Sequence, residues 1–276
     1  MKIQFTKMHG LGNDFVVIDS THQKIQLFAP LIKKLADRHT GIGFDQLLLI
    51  EPAQQSNLDF NYRIFNADGS EVAQCGNGAR CLAKFIHDKK LSDKSIINVA
   101  TQNNIMQLFY ENNDRIKVSL GVPRFDPKLI PINAERESIL HSLFVAGEEF
   151  KFFALSVGNP HAIIVVNDVQ KAPVSLVGNA FAKNAFFPEG VNVNFMQIID
   201  KNNIKLRVYE RGVGETQSCG SGACASVVAG QKMNLLNETV KVSLIGGELN
   251  VSWKGDGEVV YLTGDAETVF DGVIEI

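Results

Sequence analysis

The chain has 276 residues, of which 45% are hydrophobic, and it carries a formal net charge of −3. This length suits one large domain or two of ordinary size, and the apolar content is enough for each half to bury a core. The near-neutral charge and the lack of a dense basic cluster argue against nucleic acid as the main partner. The N-terminus "MKIQFTKMHG" has no signal-peptide core, and no stretch reaches the length of a membrane span. We therefore expect a cytoplasmic protein without a membrane partner, whose four cysteines are reduced thiols.

Strand-like runs rich in Val, Ile, Leu and Phe dominate the chain and are bounded by Gly, Asn, Asp or Pro. The first predicted helix is "APLIKKLADRH", which has Pro30 near its first position and stops before Gly41. The predicted strands of the first half follow as "DQLLLI", "NLDFNYRIF", "SIINVA", "IMQLFY" and "RIKVSL". Those of the second half are "FKFFALSV", "HAIIVV", "VNVNFMQII", "IKLRVY", "TVKVSL", "LNVSW" and "EVVYLTG".

Two further helices are predicted at cysteine-led, glycine-rich phrases. One carries apolar residues at helical spacing from Ala79 to Asp88. The other, from about Ala223 to Ala229, is small and apolar on nearly every side, which is typical of a buried helix. We expect an α/β (α+β) fold in which each half wraps a mainly antiparallel sheet around one central helix with a cysteine at its N-terminal end.

The same phrase occurs twice, as "QCGNGARC" from Gln74 and "SCGSGACA" from Ser218. The match extends without gaps over twenty residues, each residue of the second copy lying 144 positions after its counterpart, from 75 to 219. This indicates an internal duplication with two pseudo-symmetric domains, because the period is too long for a solenoid repeat. We place the halves at 1–120 and 121–264, with the boundary where Gly and Pro cluster; the C-terminal tail, about 265–276, could return to the first half.

A cysteine at the N-terminus of a helix combines two chemical properties. The unpaired N–H groups of the first turn can hold a carboxylate, and their partial positive charge is expected to lower the pKa of the thiol from about 8.5 toward neutrality. Two halves related by an approximate two-fold would direct Cys75 and Cys219 at one shared cleft. Such a pair suits inversion of a carbon centre, in which one thiolate removes a proton and the opposite thiol returns one.

Other roles for the cysteines fit the spacing less well. The pairs Cys75-x5-Cys81 and Cys219-x4-Cys224 are not the tight Cys-x2-Cys knuckle of structural zinc, and Cys-x-x-Cys redox motifs are absent. The phrase "GSGACA" matches G-x-G-x-x-A only loosely, because polar residues intervene where a dinucleotide site needs a strand. Cys81 and Cys224 are assigned as small buried residues.

Five motifs together closely resemble the diaminopimelate epimerase family: "MHGLGNDFVVID", "FNADGSEVAQCGNGARC", "GNPHAI", "GVNVNF" and "YERGVGETQSCGSGACA". The resemblance runs from Met8 nearly to the C-terminus in the family's order. It implies a cofactor-independent epimerase that interconverts LL- and meso-2,6-diaminopimelate in lysine and peptidoglycan precursor biosynthesis, with no metal or pyridoxal phosphate, and a homodimer whose active site lies between two similar halves.

The resemblance also implies roles for individual residues. Cys75 and Cys219 match the acid/base pair, and His161 and Glu210 match the residues that assist the thiols. The carboxylate at the reacting carbon would lie at the two helix ends formed by Gly76, Asn77, Gly220 and Ser221. The remaining substrate-binding set, which also includes Glu210, is Asn13, Gln46, Asn66, Asn159, Asn192 and Arg211. The residues themselves agree, because Arg binds carboxylates in a bidentate fashion and Asn both donates and accepts.

Two other function classes stay open at this point. One is a cofactor-independent racemase or isomerase of the same fold acting on proline or hydroxyproline, although a proline-like ring has no second carboxylate for Arg211 to hold. The other is a non-catalytic binding protein, which would have no need for two matched thiols.

Overall fold

The computed structural model has a mixed α+β architecture with many strands and few helices, which confirms the predicted fold class. It describes residues 2–72, 75–102, 104–111, 115–134, 136 and 138–276, so Gln74 of the first cysteine phrase lies outside the described residues. The chain divides into two compact units, Met1–Ser119 with Thr263–Ile276, and Leu120–Leu262. That these units are the halves of a duplication is our interpretation of the sequence repeat.

The strands are numbered in chain order. The first eight are β1 (Lys2–Gly10), β2 (Asn13–Asp19), β3 (Gln46–Pro52), β4 (Phe60–Asn66), β5 (Glu71–Val72), β6 (Ile96–Ala100), β7 (Ile105–Tyr110) and β8 (Ile116–Ser119). The others are β9 (His141–Val145), β10 (Glu148–Ser156), β11 (Pro160–Val165), β12 (Asn192–Asp200), β13 (Asn203–Glu210), β14 (Gly214–Thr216), β15 (Thr239–Leu244), β16 (Gly247–Ser252), β17 (Tyr261–Gly264) and β18 (Glu267–Glu275). The helices are α1 (Ala29–Ala36), α2 (Gly76–Asp88), α3 (Val174–Ala182) and α4 (Gly220–Lys232), with a 3-10 turn at Val169–Lys171.

In the first unit the strands are mainly antiparallel with two parallel steps. Strand β2 pairs antiparallel with β1 and parallel with β3, and β3 pairs antiparallel with β4. Strand β4 pairs antiparallel with β5 and parallel with β6, after which β6, β7 and β8 form an antiparallel meander. The C-terminal strand β18 pairs antiparallel with β1.

The second unit repeats the pairing order of the first seven strands. Strand β11 pairs antiparallel with β10 and parallel with β12, and β12 pairs antiparallel with β13. Strand β13 pairs antiparallel with β14 and parallel with β15, which pairs antiparallel with β16. The registers also correspond, since Phe15 lies opposite Gln46 in the first unit and His161 lies opposite Asn192 in the second.

Each unit places one helix against an apolar core of its own strands. In the first unit Leu31, Ile32 and Leu35 of α1 pack into a cluster with residues of β2 and β3. In the second unit α3 contributes Val177 and Phe181 to a cluster built on β10, β11 and β12. The cysteine-led helices α2 and α4 are buried along most of their length, as predicted, and pack against strands of their own units.

Three features differ from the sequence-based assignment. Helix α1 ends at Ala36 rather than near His39, because the carboxylate of Asp37 accepts the backbone N–H groups of His39 and Thr40 and starts a turn. Helix α3 was not predicted, since Gly178 interrupts its apolar pattern; a Cβ there would lie 2.3 Å from the ring of Tyr209, which packs against it. Strands β1, β2, β5, β9, β14 and β18 were also not assigned from the sequence.

Candidate active site

Cys75 is the N-cap residue of α2, as the sequence predicts. Its backbone is extended, and its Sγ accepts a hydrogen bond from the backbone N–H of Gly78 at 3.4 Å. Glycine is needed at 78, because a Cβ there would lie 2.6 Å from the hydroxyl oxygen of Tyr62. The Cys-Gly-x-Gly sequence therefore places a thiol at the N-cap position, over the first turn of a buried helix.

Polar side chains surround Cys75 within its own unit. Its Sγ lies 3.9 Å from Oδ1 of Asn13, and the same oxygen accepts from Nδ2 of Asn77 at 3.4 Å. Gln46 and Asn66 form a second pair, in which Nε2 of Gln46 donates to Oδ1 of Asn66 at 2.9 Å. Oε1 of Gln46 is buried and has no hydrogen-bond partner among the described residues. The first unit thus brings Asn13 and Asn77 to the thiol and leaves a buried acceptor on Gln46.

Cys219 caps α4 in the same way. Its backbone is extended and its Sγ accepts from the backbone N–H of Gly222 at 3.4 Å. A Cβ at Gly222 would lie 2.7 Å from Oδ1 of Asn194 and 3.2 Å from Sγ of Cys219 itself. The hydroxyl of Ser221 lies 3.6 Å from the thiol. The two units therefore build the same thiol cap from the same two glycine positions.

The pKa of Cys219 does not follow the expectation from its helix end. Burial raises this pKa well above the usual thiol value, and the neighbouring carboxylate of Glu210 raises it further. The hydroxyl of Ser221 and the N–H of Gly222 act in the opposite direction but are weaker. The expected lowering of the pKa is thus wrong for Cys219, because its desolvation outweighs the helix N-terminus.

Glu210 lies next to Cys219 at the end of β13. Thr216 donates its hydroxyl to Oε1 of Glu210 at 2.5 Å. Burial raises the pKa of Glu210, while hydrogen bonds from Thr216 and from the thiol of Cys219 lower it in part. Both groups thus favour their protonated forms, and a proton can pass from the thiol to Glu210 only when that carboxyl group is ionised. Thr216 was not predicted as a site residue.

His161 is fully buried on β11 between two amides. Its Nδ1 lies 3.0 Å from Nδ2 of Asn194, and its Nε2 lies 3.0 Å from Oδ1 of Asn159. Nδ2 of Asn159 in turn donates to the hydroxyl of Ser221 at 3.4 Å. Burial lowers the pKa of His161 to about 3, so the imidazole is neutral. Since Asn194 directs a donor at Nδ1 and Asn159 an acceptor at Nε2, the ring proton is assigned to Nε2. Within the described part of the chain, both ring nitrogens are thus occupied by amides.

Arg211 and Asn192 form a separate group in the second unit. Oδ1 of Asn192 accepts the backbone N–H of Arg211 at 2.8 Å. The exposed guanidinium of Arg211 donates to the carbonyl oxygen of Glu189, and its stem lies against Gly190, where a Cβ would be 2.8 Å from Cδ. The positive charge of Arg211 also contributes to the lowered pKa of His161.

Cys81 and Cys224 are fully buried within α2 and α4 and lie one turn or more beyond the capping thiols. Burial raises the pKa of Cys81 far above the usual thiol value, as a structural side chain requires. None of the four cysteines, all of which lie in the described residues, forms a disulfide bond.

Besides Thr216, three residues near the cysteine helices were missed from the sequence. Asn194 follows Asn192 by two residues on β12, and Asp45 directly precedes Gln46. Arg80 lies on the buried side of α2 although it is charged. For Arg80 the sequence did contain a signal, because it places a charged residue inside a helix that is predicted to be buried.

A cavity of about 880 Å³ in the first unit is lined by Ser20, Lys24, Ile25, Gln26, Phe28, Pro30, Leu31, Lys34 and Ile276, none of which is a predicted site residue. Over the described residues, no three His, Cys, Asp or Glu side chains are grouped so that they could hold a metal ion. In the same residues no helix is long and apolar enough to span a bilayer.

The family model for diaminopimelate epimerase matches residues 5–125 and 153–269. The chain belongs to the diaminopimelate epimerase family. A protein of Nitrosomonas europaea called diaminopimelate epimerase is 49% identical over 276 residues, which is all of both chains. The match includes both cysteine phrases and confirms the resemblance noted from the five motifs.

Solved structures of more distant proteins share the fold. A hydroxyproline epimerase from Agrobacterium vitis, with trans-4-hydroxy-L-proline bound, aligns with a TM-score of 0.73 at 15% identity and covers 99% of this chain and 92% of its own. A phenazine biosynthesis protein of the PhzF family from Bacillus anthracis aligns with a TM-score of 0.69 at 14% identity over 100% of both chains. These likenesses establish the architecture and leave the substrate to be argued from the family and the site.

Proposed function

We propose that this protein interconverts LL- and meso-2,6-diaminopimelate without a cofactor or metal, as an isomerase of lysine and peptidoglycan precursor biosynthesis. The observation that carries the proposal is the repeated thiol cap: Cys75 and Cys219 each accept the N–H of the third residue of a buried helix at 3.4 Å. A chain of this family with two such thiols has the two acid/base groups that inversion of one carbon needs.

Cys75 and Cys219 act as the two acid/base groups of the reaction. The thiolate of one removes the proton from the α-carbon, so that a C–H bond breaks and an S–H bond forms. The thiol of the other then gives its proton to the opposite face of the carbon. The carboxylate attached to this carbon carries part of the negative charge in between, and the N–H groups of helix first turns stabilise it. Gly76, Asn77, Gly220 and Ser221 supply these positions.

Glu210 and His161 assist the thiols in different ways. The carboxylate of Glu210 lies beside Cys219 and is the group that can take up its proton to form the thiolate. His161 is neutral and donates its Nε2 proton to Asn159, so it acts through the amide that reaches Ser221. We therefore assign an acid/base role to Glu210 and a positioning role to His161.

The distal end of the substrate carries a second carboxylate and a second ammonium group. Arg211 offers a guanidinium for the carboxylate, and Oε1 of Gln46 offers a buried acceptor for an ammonium group. The amides that complete this binding set are Asn13, Asn66, Asn159 and Asn192. We retain the homodimer and the cytoplasm as the expected state and location, and we propose that the two units are the pseudo-symmetric halves of a duplication.

The proposal is tested by incubating the purified protein with LL-diaminopimelate in D2O. We expect meso-product that carries deuterium at the inverted carbon in the first turnover, as two separate acid/base groups require. Product that keeps the substrate hydrogen would exclude the two-base mechanism, and absence of any product would exclude the activity. L-proline and trans-4-hydroxy-L-proline are assayed in parallel, and turnover of either in place of diaminopimelate would favour the alternative racemase.

A further inference from the structure

Beside Cys75, four side chains form one directional chain of hydrogen bonds. Nη2 of Arg80 donates to Oδ1 of Asn77 at 3.0 Å, and Nδ2 of Asn77 donates to Oδ1 of Asn13 at 3.4 Å. Nδ2 of Asn13 donates to Oδ2 of Asp45 at 2.9 Å. Sγ of Cys75 lies 3.9 Å from Oδ1 of Asn13, so the thiol meets the chain at a carbonyl oxygen.

The two ends of this chain determine its direction. An asparagine amide offers two donors on one side and an acceptor on the other, so it can be turned over without a change of shape. A carboxylate only accepts and a guanidinium only donates. With Asp45 at one end and Arg80 at the other, both amides between them can form the hydrogen bonds of this chain in one orientation only.

Both end groups are themselves held in place. Oδ1 of Asp45 accepts from Nη2 of Arg38 at 2.8 Å, and its Oδ2 also accepts the backbone N–H of Asp14 at 3.2 Å. Arg38 forms two hydrogen bonds with the carboxylate of Asp14, which also accepts from Lys7. Although burial acts against it, these bonds hold the pKa of Asp14 far below its usual range, so this carboxylate stays charged and keeps Arg38 in place.

Arg80 is fixed by backbone oxygens of its own unit. It is fully buried, with Nε donating to the carbonyl of Asp265 at 3.1 Å and Nη1 near the carbonyl of Gly76 at 3.4 Å. A buried guanidinium without such acceptors would be strongly destabilising, so its position is closely determined.

The second unit shows that the amide orientation is not a property of the fold. Asn159 occupies the position that Asn13 has in the first unit, 146 residues later in the chain. It is anchored by the N–H of His161 through Oδ1, and its Nδ2 points to Ser221. The amide is therefore reversed relative to its cysteine helix, because its anchor is a donor where Asp45 is an acceptor.

The geometry points to Asp45 and Arg80 as positioning residues of the diaminopimelate epimerase reaction, which hold Asn13 with its carbonyl oxygen toward Cys75. An acceptor at this place stabilises the S–H form of Cys75 and disfavours its thiolate, whereas a turned amide would donate N–H to the thiolate. The role in catalysis rests on the proposed acid/base function of Cys75, but the state of the thiol can be measured without turnover.

The experiment is Asp45→Asn, with the alkylation rate of Cys75 by iodoacetamide measured against pH and located by peptide mass. Asn at 45 can donate to Asn13 in either orientation of that amide, which leaves only the longer 3.4 Å hydrogen bond from Asn77 to hold it. We expect the alkylation of Cys75 at neutral pH to rise about three- to tenfold, as for the net gain of one ordinary hydrogen bond. Asp93→Asn, which removes one exposed carboxylate of the same unit, is the matched control and should leave the rate unchanged.

Loss of the Asp45 charge could act directly on the thiol, so the change is repeated in an Asn13→Ala background. If Asp45 acts through the amide, Asp45→Asn has no further effect there; an equal rise in both backgrounds would overturn the proposal. An unchanged Cys75 rate in the single variant would overturn it as well. Asp45→Ser, whose hydroxyl both donates and accepts, serves if Asp45→Asn does not fold. A wild-type protein without epimerase activity would exclude the proposed function and leave these alkylation results valid.

Discussion

Arg63 and Glu71 form a bidentate ion pair across β4 and β5, with Nε and Nη2 of Arg63 at 2.9 and 2.8 Å from the two carboxylate oxygens. The same pair recurs across β13 and β14 as Arg207 and Glu215, at 2.6 and 2.9 Å. In each unit the pair ties the short strand that leads into the cysteine helix to a long strand. The repetition of this ion pair supports the interpretation that the two units arose by duplication. In both units the segment before the capping cysteine is held by the same Arg–Glu pair.

The two ion pairs should differ in their contribution to stability. Arg207 also donates Nη1 to the carbonyls of Val169 and Gln170, and its side chain is 19% exposed, against 42% for Arg63. Arg207→Lys should therefore lower the free energy of unfolding by about 1–3 kcal/mol, because an ammonium group cannot reach all these acceptors. Arg63→Lys should cost less than about 1 kcal/mol, as solvent screens the pair. Urea unfolding of both variants decides this, and equal losses would contradict the assignment.

Replacing Glu210 should have opposite effects on the reactivity of the Cys219 thiol and on the rate of epimerisation. The carboxylate raises the pKa of Cys219, so Glu210→Gln should increase the thiolate fraction and speed alkylation of Cys219 severalfold at pH 7–8. Epimerisation should nevertheless fall by about 100-fold or more, because the proton acceptor is lost. Glu149→Gln removes an exposed carboxylate from the same unit and should change neither rate. Slower alkylation in Glu210→Gln would show that the carboxylate does not act on this thiol.

The stability of the protein should depend on pH through His161. Its pKa is lowered from 6.5 to about 3 on folding, so between these values the unfolded chain binds a proton that the folded chain does not. Stability then falls as the pH falls. Relative to His161→Gln, the wild-type unfolding free energy should drop by about 2 kcal/mol between pH 7.5 and pH 5. Urea unfolding at both pH values measures this difference, and a constant difference would mean that His161 is not held neutral.

The start of both cysteine helices could be predicted because the signal is local. In Cys-Gly-x-Gly, a small acceptor side chain precedes a first helical turn that needs glycine for close packing. The same pattern recurs 144 residues later, which indicates that it did not arise by chance. The same holds for α4, whose small apolar residues on all sides predict burial. Helix α3 escaped prediction because its Gly178 is required by Tyr209, a residue of a strand that follows it in the chain.

The electrostatic state of Cys219 could not be predicted from its sequence neighbours. The effect of the helix N-terminus on the pKa of Cys219 can be inferred from the neighbouring sequence. The desolvation that outweighs this effect comes from tertiary packing, and the negative charge that adds to it belongs to Glu210 on another element. The orientation of the amides is equally non-local. Asn13 and Asn159 look equivalent in the sequence, yet an acidic residue anchors one and an imidazole N–H anchors the other.

Arg211→Lys should weaken substrate binding more than it affects the chemical step. The guanidinium is exposed, its stem is seated against Gly190, and one donor is already held by the carbonyl of Glu189, so the fork is oriented before a carboxylate arrives. A lysine ammonium is a point charge and cannot form the second parallel hydrogen bond to a carboxylate. We therefore expect KM to rise about tenfold or more, while kcat changes less than about threefold. Arg124→Lys, at another exposed position of the same unit, is the matched control and should leave both constants unchanged. If Arg211→Lys keeps the wild-type KM, Arg211 does not bind the substrate carboxylate, and if kcat alone falls, the residue acts at the reacting carbon.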